Sequence, residues 1–142
     1  MSLRDAAGLL FLARADARDG MILLNATSRN AAYHAQQAAE KLIKALLKWK
    51  GISYPALQHH LDGLISHFPQ DDPWRARLEP LCWLQAYATT FRYADGGRIR
   101  PAPTPARLNA AIDDCLRLID FASTEMRLQL TDDEKQPFRM LD

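Results

Sequence analysis

RYADGGRIR, residues 92–100, brings Arg92, Arg98 and Arg100 around a Gly-Gly turn. Arginine pairs with phosphate through bidentate hydrogen bonds, and Tyr93 offers a ring on which a base can stack. The other reading of the segment is a solvated loop, with Arg92 and Asp95 holding it against the body of the protein. A second basic group, Lys41, Lys44 and Lys48, recurs at helical spacing and forms a ridge; most such ridges are solvent faces. Four histidines, His34, His59, His60 and His67, all lie in the N-terminal half. His59, His60 and His67 do not make a metal site: adjacent residues point apart on a helix, and no third ligand has suitable spacing. Gly96-Gly97 lacks a Walker pattern, no Ser/His/Asp grouping stands out, and no cofactor is expected.

These residues sit on a chain of 142 residues, the usual size of one domain. At 48% hydrophobic and 25% charged, the composition is that of an ordinary globular protein able to bury a core without disulfides or a structural metal. A net charge of +1 gives no global electrostatic case for DNA or membrane binding, so any nucleic-acid contact must come from a local patch. Cys82 and Cys115 are far apart and belong to no ligand cluster. They fit a reducing compartment as buried thiols, and the expected localisation is cytoplasmic. The first 20 residues carry acids and arginines throughout, which suits neither a signal peptide nor a membrane span.

No segment reads as strand. Valine is absent, and apolar residues recur at spacings of three and four. Ser2 is a candidate cap for a first helix reaching about Leu24, with Asp5 in its first turn. Ser28 is the next candidate cap. The segment from Arg29 to Lys50 has no Gly or Pro and stops at Gly51. Leu57–Phe68 reads as a shorter helix. Asp72-Pro73 starts a helical region that runs to about Tyr93, with a break near Pro80. Thr104-Pro105 opens the last helix, which ends near Leu128. Residues 131–142 form a polar tail, expected to fray unless Phe138 and Leu141 dock on the body. The fold class is therefore all-α, a four- to five-helix up-and-down antiparallel bundle over residues 1–130.

In the Arg29–Lys50 helix, Ala35, Ala38, Ala39, Leu42, Ile43, Leu46 and Trp49 fall in a sector of about 140°. The first half of this core stripe is entirely alanine, which allows a neighbouring helix to approach closely. Gln36 and Gln37 flank the stripe on opposite sides. Gln36 lies with Arg29, Tyr33 and Glu40, and Gln37 with His34, Lys41 and Lys48. Both glutamines read as boundary residues that fix how this helix meets its neighbours. Gln37, beside His34 and Lys41, is also a candidate ligand contact.

The segment from Tyr33 to Leu47, YHAQQAAEKLIKALL, resembles the signature of the HEPN family of small helical bundles. His59-His60-Leu61-Asp62-Gly63-Leu64 is similar to the family's His-x-Leu-x-x-Leu segment, with His60 where Asp is usual. Phe91-Arg92-Tyr93-Ala94-Asp95 is similar to its Arg-Tyr-Pro-Asp motif, with Ala94 in place of Pro. The resemblance implies a cytosolic, typically homodimeric bundle, often encoded beside a minimal nucleotidyltransferase. It also implies nucleotide binding or, in toxin-like members, metal-independent RNA cleavage. The cleaving members carry Arg-x(4–6)-His in a C-terminal helix, where His moves protons and Arg steadies the developing charge. No histidine follows Arg92 in this chain. Arg29 and His34 have that spacing in the wrong helix. Five residues apart they point about 140° apart, so only a dimer would bring them together.

The expected function is thus a HEPN-type accessory domain that binds nucleotide or RNA without catalysis of its own. It is expected to act as a homodimer with a minimal nucleotidyltransferase as partner. Candidate ligand contacts are Arg92, Tyr93, Arg98, His59, Gln37, Lys41 and Lys44, and Arg29 and His34 are the only candidate catalytic pair. The alternatives are a divergent endoribonuclease and a purely structural dimerisation module.

Overall fold

The computed structural model describes residues 3–141, Thr90 by its backbone only. Five α-helices follow in order: α1 (Leu3–Asn25), α2 (Ala31–Trp49), α3 (Leu61–Ile65), α4 (Pro73–Leu78) and α5 (Pro105–Glu125). Two 3-10 helices, Glu79–Tyr87 and Thr89–Arg92, lie between α4 and α5. The architecture is the expected all-α up-and-down bundle. No described helix is long and apolar enough to cross a membrane.

α2 is the central element, packed against α1, α5, α3 and the first 3-10 helix. Its alanine half is buried, and α1 also buries mostly small residues, with Leu10 the one large side chain among them. Ala6, Ala7, Ala13, Ala17 and Gly20 on α1, and Ala31, Ala32, Ala35, Ala38 and Ala39 on α2, are all buried. At Gly20 the close approach is to α5, where an added Cβ would sit 3.2 Å from Ile112 Cδ1; the Ala31 carbonyl of α2, at 3.5 Å, is at ordinary contact distance. The bulkier half, Leu42, Ile43, Leu46 and Leu47, fills the wider part of the core with Phe68, Trp74 and Leu78.

Local sequence rules account for several of the helix ends. Gly51, at φ +69°, closes α2 with Gly51 N–H bonded to Lys48 O and Ile52 N–H to Leu47 O, the paired bonds of a Schellman ending. Thr104 Oγ1 accepts from the Arg107 amide, with Pro105 in the first turn of α5. The helical path tightens to 3-10 at Glu79, next to Pro80, which cannot donate a backbone bond.

Asp72 caps α4 by accepting from the Trp74 amide at 2.9 Å and pairs with Lys50 Nζ at 3.0 Å. Burial pushes this carboxyl up, but the Trp74 amide and Lys50 outweigh it and hold it below the usual carboxylate range. A depressed folded pKa means the stabilisation is full above the unfolded value of about 3.9 and is lost as pH falls through the folded value. Asp72→Ala is expected to lower stability by about 1–2 kcal/mol at neutral pH. The gap from wild type narrows below roughly pH 4, as urea unfolding at both pH values would show.

Other expectations are corrected. α2 begins at Ala31, not Arg29; among the described residues Ser28 Oγ bonds only the Asn30 amide, and Asn30, the cap position, makes no side-chain cap bond. The turn before it places Thr27 at φ +58°, where Ser28 N–H reaches Leu23 O. α3 is only five residues long, because residues 57–60 are turn and extended chain rather than helix. Its first amide is held by Gln85 Oε1 at 2.8 Å, a partner distant in sequence. The cap expected at Ser2 lies outside the described residues.

Contrary to the all-helical reading, Leu128–Leu130 and Phe138–Met140 pair as a small antiparallel hairpin, β1 and β2. The tail does not fray within this hairpin. Phe138 packs on the core, Arg18 Nη1 holds Asp132 at 2.8 Å, and Arg14 donates to the Thr131 carbonyl. Leu141 stays half exposed. Cys115 is buried, and burial pushes its thiol up to about 12, so it stays protonated and inert. Cys82 is only partly buried, not buried as expected.

Candidate functional site: an arginine hairpin and a buried polar network on α2

The segment read as a loop is a tight two-residue hairpin. Asp95 and Arg98 exchange both backbone hydrogen bonds at 2.9 Å, with Gly96 at φ +58° and Gly97 at φ +80°. Positive φ at both central positions is the type I′ turn, which glycine reaches without strain. Arg29 clamps the base of this hairpin. Its Nη2 donates to Phe91 O at 3.2 Å and to Arg100 O at 2.9 Å, one on each side of the turn. Its guanidinium also lies 4.2 Å from the Phe91 ring centroid, within cation–π range.

Arg92 follows the buried Phe91 and stacks over Tyr33 at 4.8 Å, tying the hairpin to the first turn of α2. The loop is therefore held by Arg29 and Arg92, and Asp95 contributes through its backbone. Tyr93 projects outward, 65% exposed. Arg98 is exposed, and among the described residues its side chain has no hydrogen bond or ion pair.

Along α2 from Tyr33, a polar network runs beneath the surface. Gln36 is fully buried and Glu40 is 8% exposed. This corrects the reading of Gln36 as a boundary residue. Helix phase put it at the stripe's edge, but several elements cover α2 and the core takes in that edge as well. The network is satisfied internally. Gln37 donates to Gln36 at 2.7 Å, Gln36 donates to Glu40 Oε1 at 3.3 Å, and Lys44 Nζ reaches Glu40 Oε2 at 3.1 Å. His59 Nδ1 lies 3.1 Å from the same carboxylate oxygen and 3.0 Å from Lys44 Nζ. Its tautomer decides whether it donates to the carboxylate or accepts from the ammonium.

Lys44 opens onto a cleft of about 450 Å³ lined also by Lys48, Tyr54, Ser53 and Asp5. Lys48 Nζ lies 5.5 Å from the Tyr54 ring centroid. Tyr33, Glu40 and Lys44 share one side of α2, and Gln37, read as the opposite flank, reaches across to Gln36, so hairpin and cleft lie at two ends of a stripe about 16 Å long.

The remaining candidates face elsewhere. His34 Nδ1 is 3.1 Å from Asp16 Oδ1, and Lys41 pairs with Asp16 Oδ2. Arg29 and His34 thus engage different partners within one chain. His67 bonds Gln58 at 2.6 Å, so His59, His60 and His67 do not gather. Sequence reasoning missed the clamp role of Arg29 and the ion-pair role of Glu40. Both depend on residues distant in sequence, and only the Glu40–Lys44 spacing of four was a local signal.

These features define a class: a helical bundle whose central helix carries a buried polar network between a clamped arginine hairpin and a basic cleft. The chain belongs to the HEPN domain family, whose model matches residues 8–126, from α1 to the end of α5. No curated protein and no solved structure matches the chain.

Proposed function

We propose that this chain is a HEPN-type accessory module that binds nucleotide or RNA along the stripe from the arginine hairpin to the Lys44 cleft. It works as a homodimer with a minimal nucleotidyltransferase as partner, and it has no catalysis of its own. The observation that carries the reading is the clamped hairpin. Arg29 fixes both of its sides, so the exposed Tyr93 and the unpaired Arg98 are presented on a turn that is ordered before any ligand arrives. An arginine already positioned loses less freedom on meeting a phosphate. At the other end of the stripe the cleft beside Lys44 is lined also by Lys48 and Tyr54. The engagement of Arg29 by the Phe91 and Arg100 carbonyls supports a structural role for it over a catalytic one.

Fluorescence anisotropy with a short single-stranded RNA and with a labelled nucleotide tests this. Arg98→Ala is expected to weaken binding about 10- to 100-fold, the worth of one charge-assisted contact. With RNA it is expected to lower the salt slope by about 0.7. No measurable binding by wild type leaves a structural module. Metal-independent cleavage of the RNA, lost in His34→Ala, moves the reading to the ribonuclease.

A further inference from the structure

Two carboxylates and an imidazole meet where the middle of α1 passes the start of α2. Asp16 and Asp19, three residues apart, share one face of α1, and His34 comes from the first turn of α2. One ligand atom from each lies within 4.8 Å of the other two. Asp16 Oδ1 and His34 Nδ1 are 3.1 Å apart. Metal bonds of ~2.1 Å at angles near 90–109° place neighbouring ligand atoms roughly 3.0–3.4 Å apart, so this pair already has the right separation.

Charge favours a cation there. Lys41 neutralises Asp16 through the other carboxylate oxygen, Oδ2, and leaves Oδ1 facing His34. Asp19 is exposed and, among the described residues, has no hydrogen bond or ion pair. Two carboxylates therefore face one ammonium. In a metal site the Lys41 bond becomes the outer support that orients a ligating carboxylate.

We propose that Asp16, Asp19 and His34 form a site for a divalent transition ion of the Zn²⁺ class, which staples α1 to α2. An imidazole with two carboxylates suits Zn²⁺, Co²⁺ or Mn²⁺, whereas Mg²⁺ and Ca²⁺ take oxygen ligands. Waters complete the coordination on the open side, beside the exposed Asp19. The site stands independently of the nucleotide or RNA reading.

Untagged protein is titrated with Zn²⁺ by calorimetry and with Co²⁺ by visible absorption, and its Tm is followed with and without metal. Wild type is expected to bind one ion per chain with a rise in Tm. Asp19→Asn is expected to weaken binding at least about tenfold with the metal-free Tm little changed, because Asp19 makes no hydrogen bond or ion pair among the described residues. His34→Gln is expected to weaken it similarly. The absence of saturable binding overturns the proposal. Binding that survives both substitutions, or that is lost instead on replacing His59 or His67, also overturns it.

Discussion

Glu40→Ala is expected to destabilise the fold by about 3–5 kcal/mol at neutral pH, seen as a lower urea midpoint and a Tm drop on the order of 10 °C. An exposed ion pair would be worth only about 0–1 kcal/mol, so burial decides the size. The Glu40 side chain is 11% exposed and that of Lys44 12%. Removing the carboxylate leaves the Lys44 ammonium without its acid, next to His59, and leaves the Gln36 amide without its acceptor. Glu40→Gln keeps one acceptor, for Gln36, but turns an amide NH2 toward Lys44 where Oε2 accepted its bond, so an intermediate loss of about 1–3 kcal/mol is expected. Adding Lys44→Met to Glu40→Ala should recover part of the deficit by removing the orphaned charge. A loss below about 1 kcal/mol for Glu40→Ala would show that water screens this pair.

Ala35→Leu is expected to cost about 3 kcal/mol, although it adds apolar surface. Burying a leucine side chain is worth about 1.5–3 kcal/mol where there is room. Ala35 is fully buried in the alanine half of α2, the helix that packs chiefly against α1. A larger side chain there forces the helices apart and opens gaps along the rest of the crossing. The urea midpoint checks this against Leu42→Ala in the bulky half of α2, expected to cost about 2–5 kcal/mol through a cavity instead. An Ala35→Leu protein as stable as wild type would mean that the two helices are not in close contact.

What could be read in advance depended on how far apart the cooperating residues lie. The stop at Gly51, the Asp72-Pro73 and Thr104-Pro105 starts and the change near Pro80 each depend on a few adjacent residues, and each holds. The resemblance carried by residues 33–47, 59–64 and 91–95 led to the family that the match over residues 8–126 establishes. The start of α3 did not follow, because the Gln85 side chain, from a distant element, bonds its first amide. Nor did the β1–β2 hairpin, whose Leu128–Met140 pairing closes across a dozen residues of mostly polar chain.

The amino-acid sequence by itself determined the long helices α1, α2 and α5, the start of α4, the small face of α2 and the turn at Gly96-Gly97. Caps, glycine turns and the 3.6-residue period act over at most a few residues. The tertiary structure decided what those surfaces do. It buried Gln36 and Glu40, because several elements cover α2 and a helical period marks one stripe without saying how many neighbours will cover its flanks. It also made Arg29, expected only as half of a candidate catalytic pair, the clamp of a hairpin 62 residues away. Asp16 and Asp19 came beside His34 for the same reason: antiparallel packing juxtaposes residues that no spacing along the chain connects.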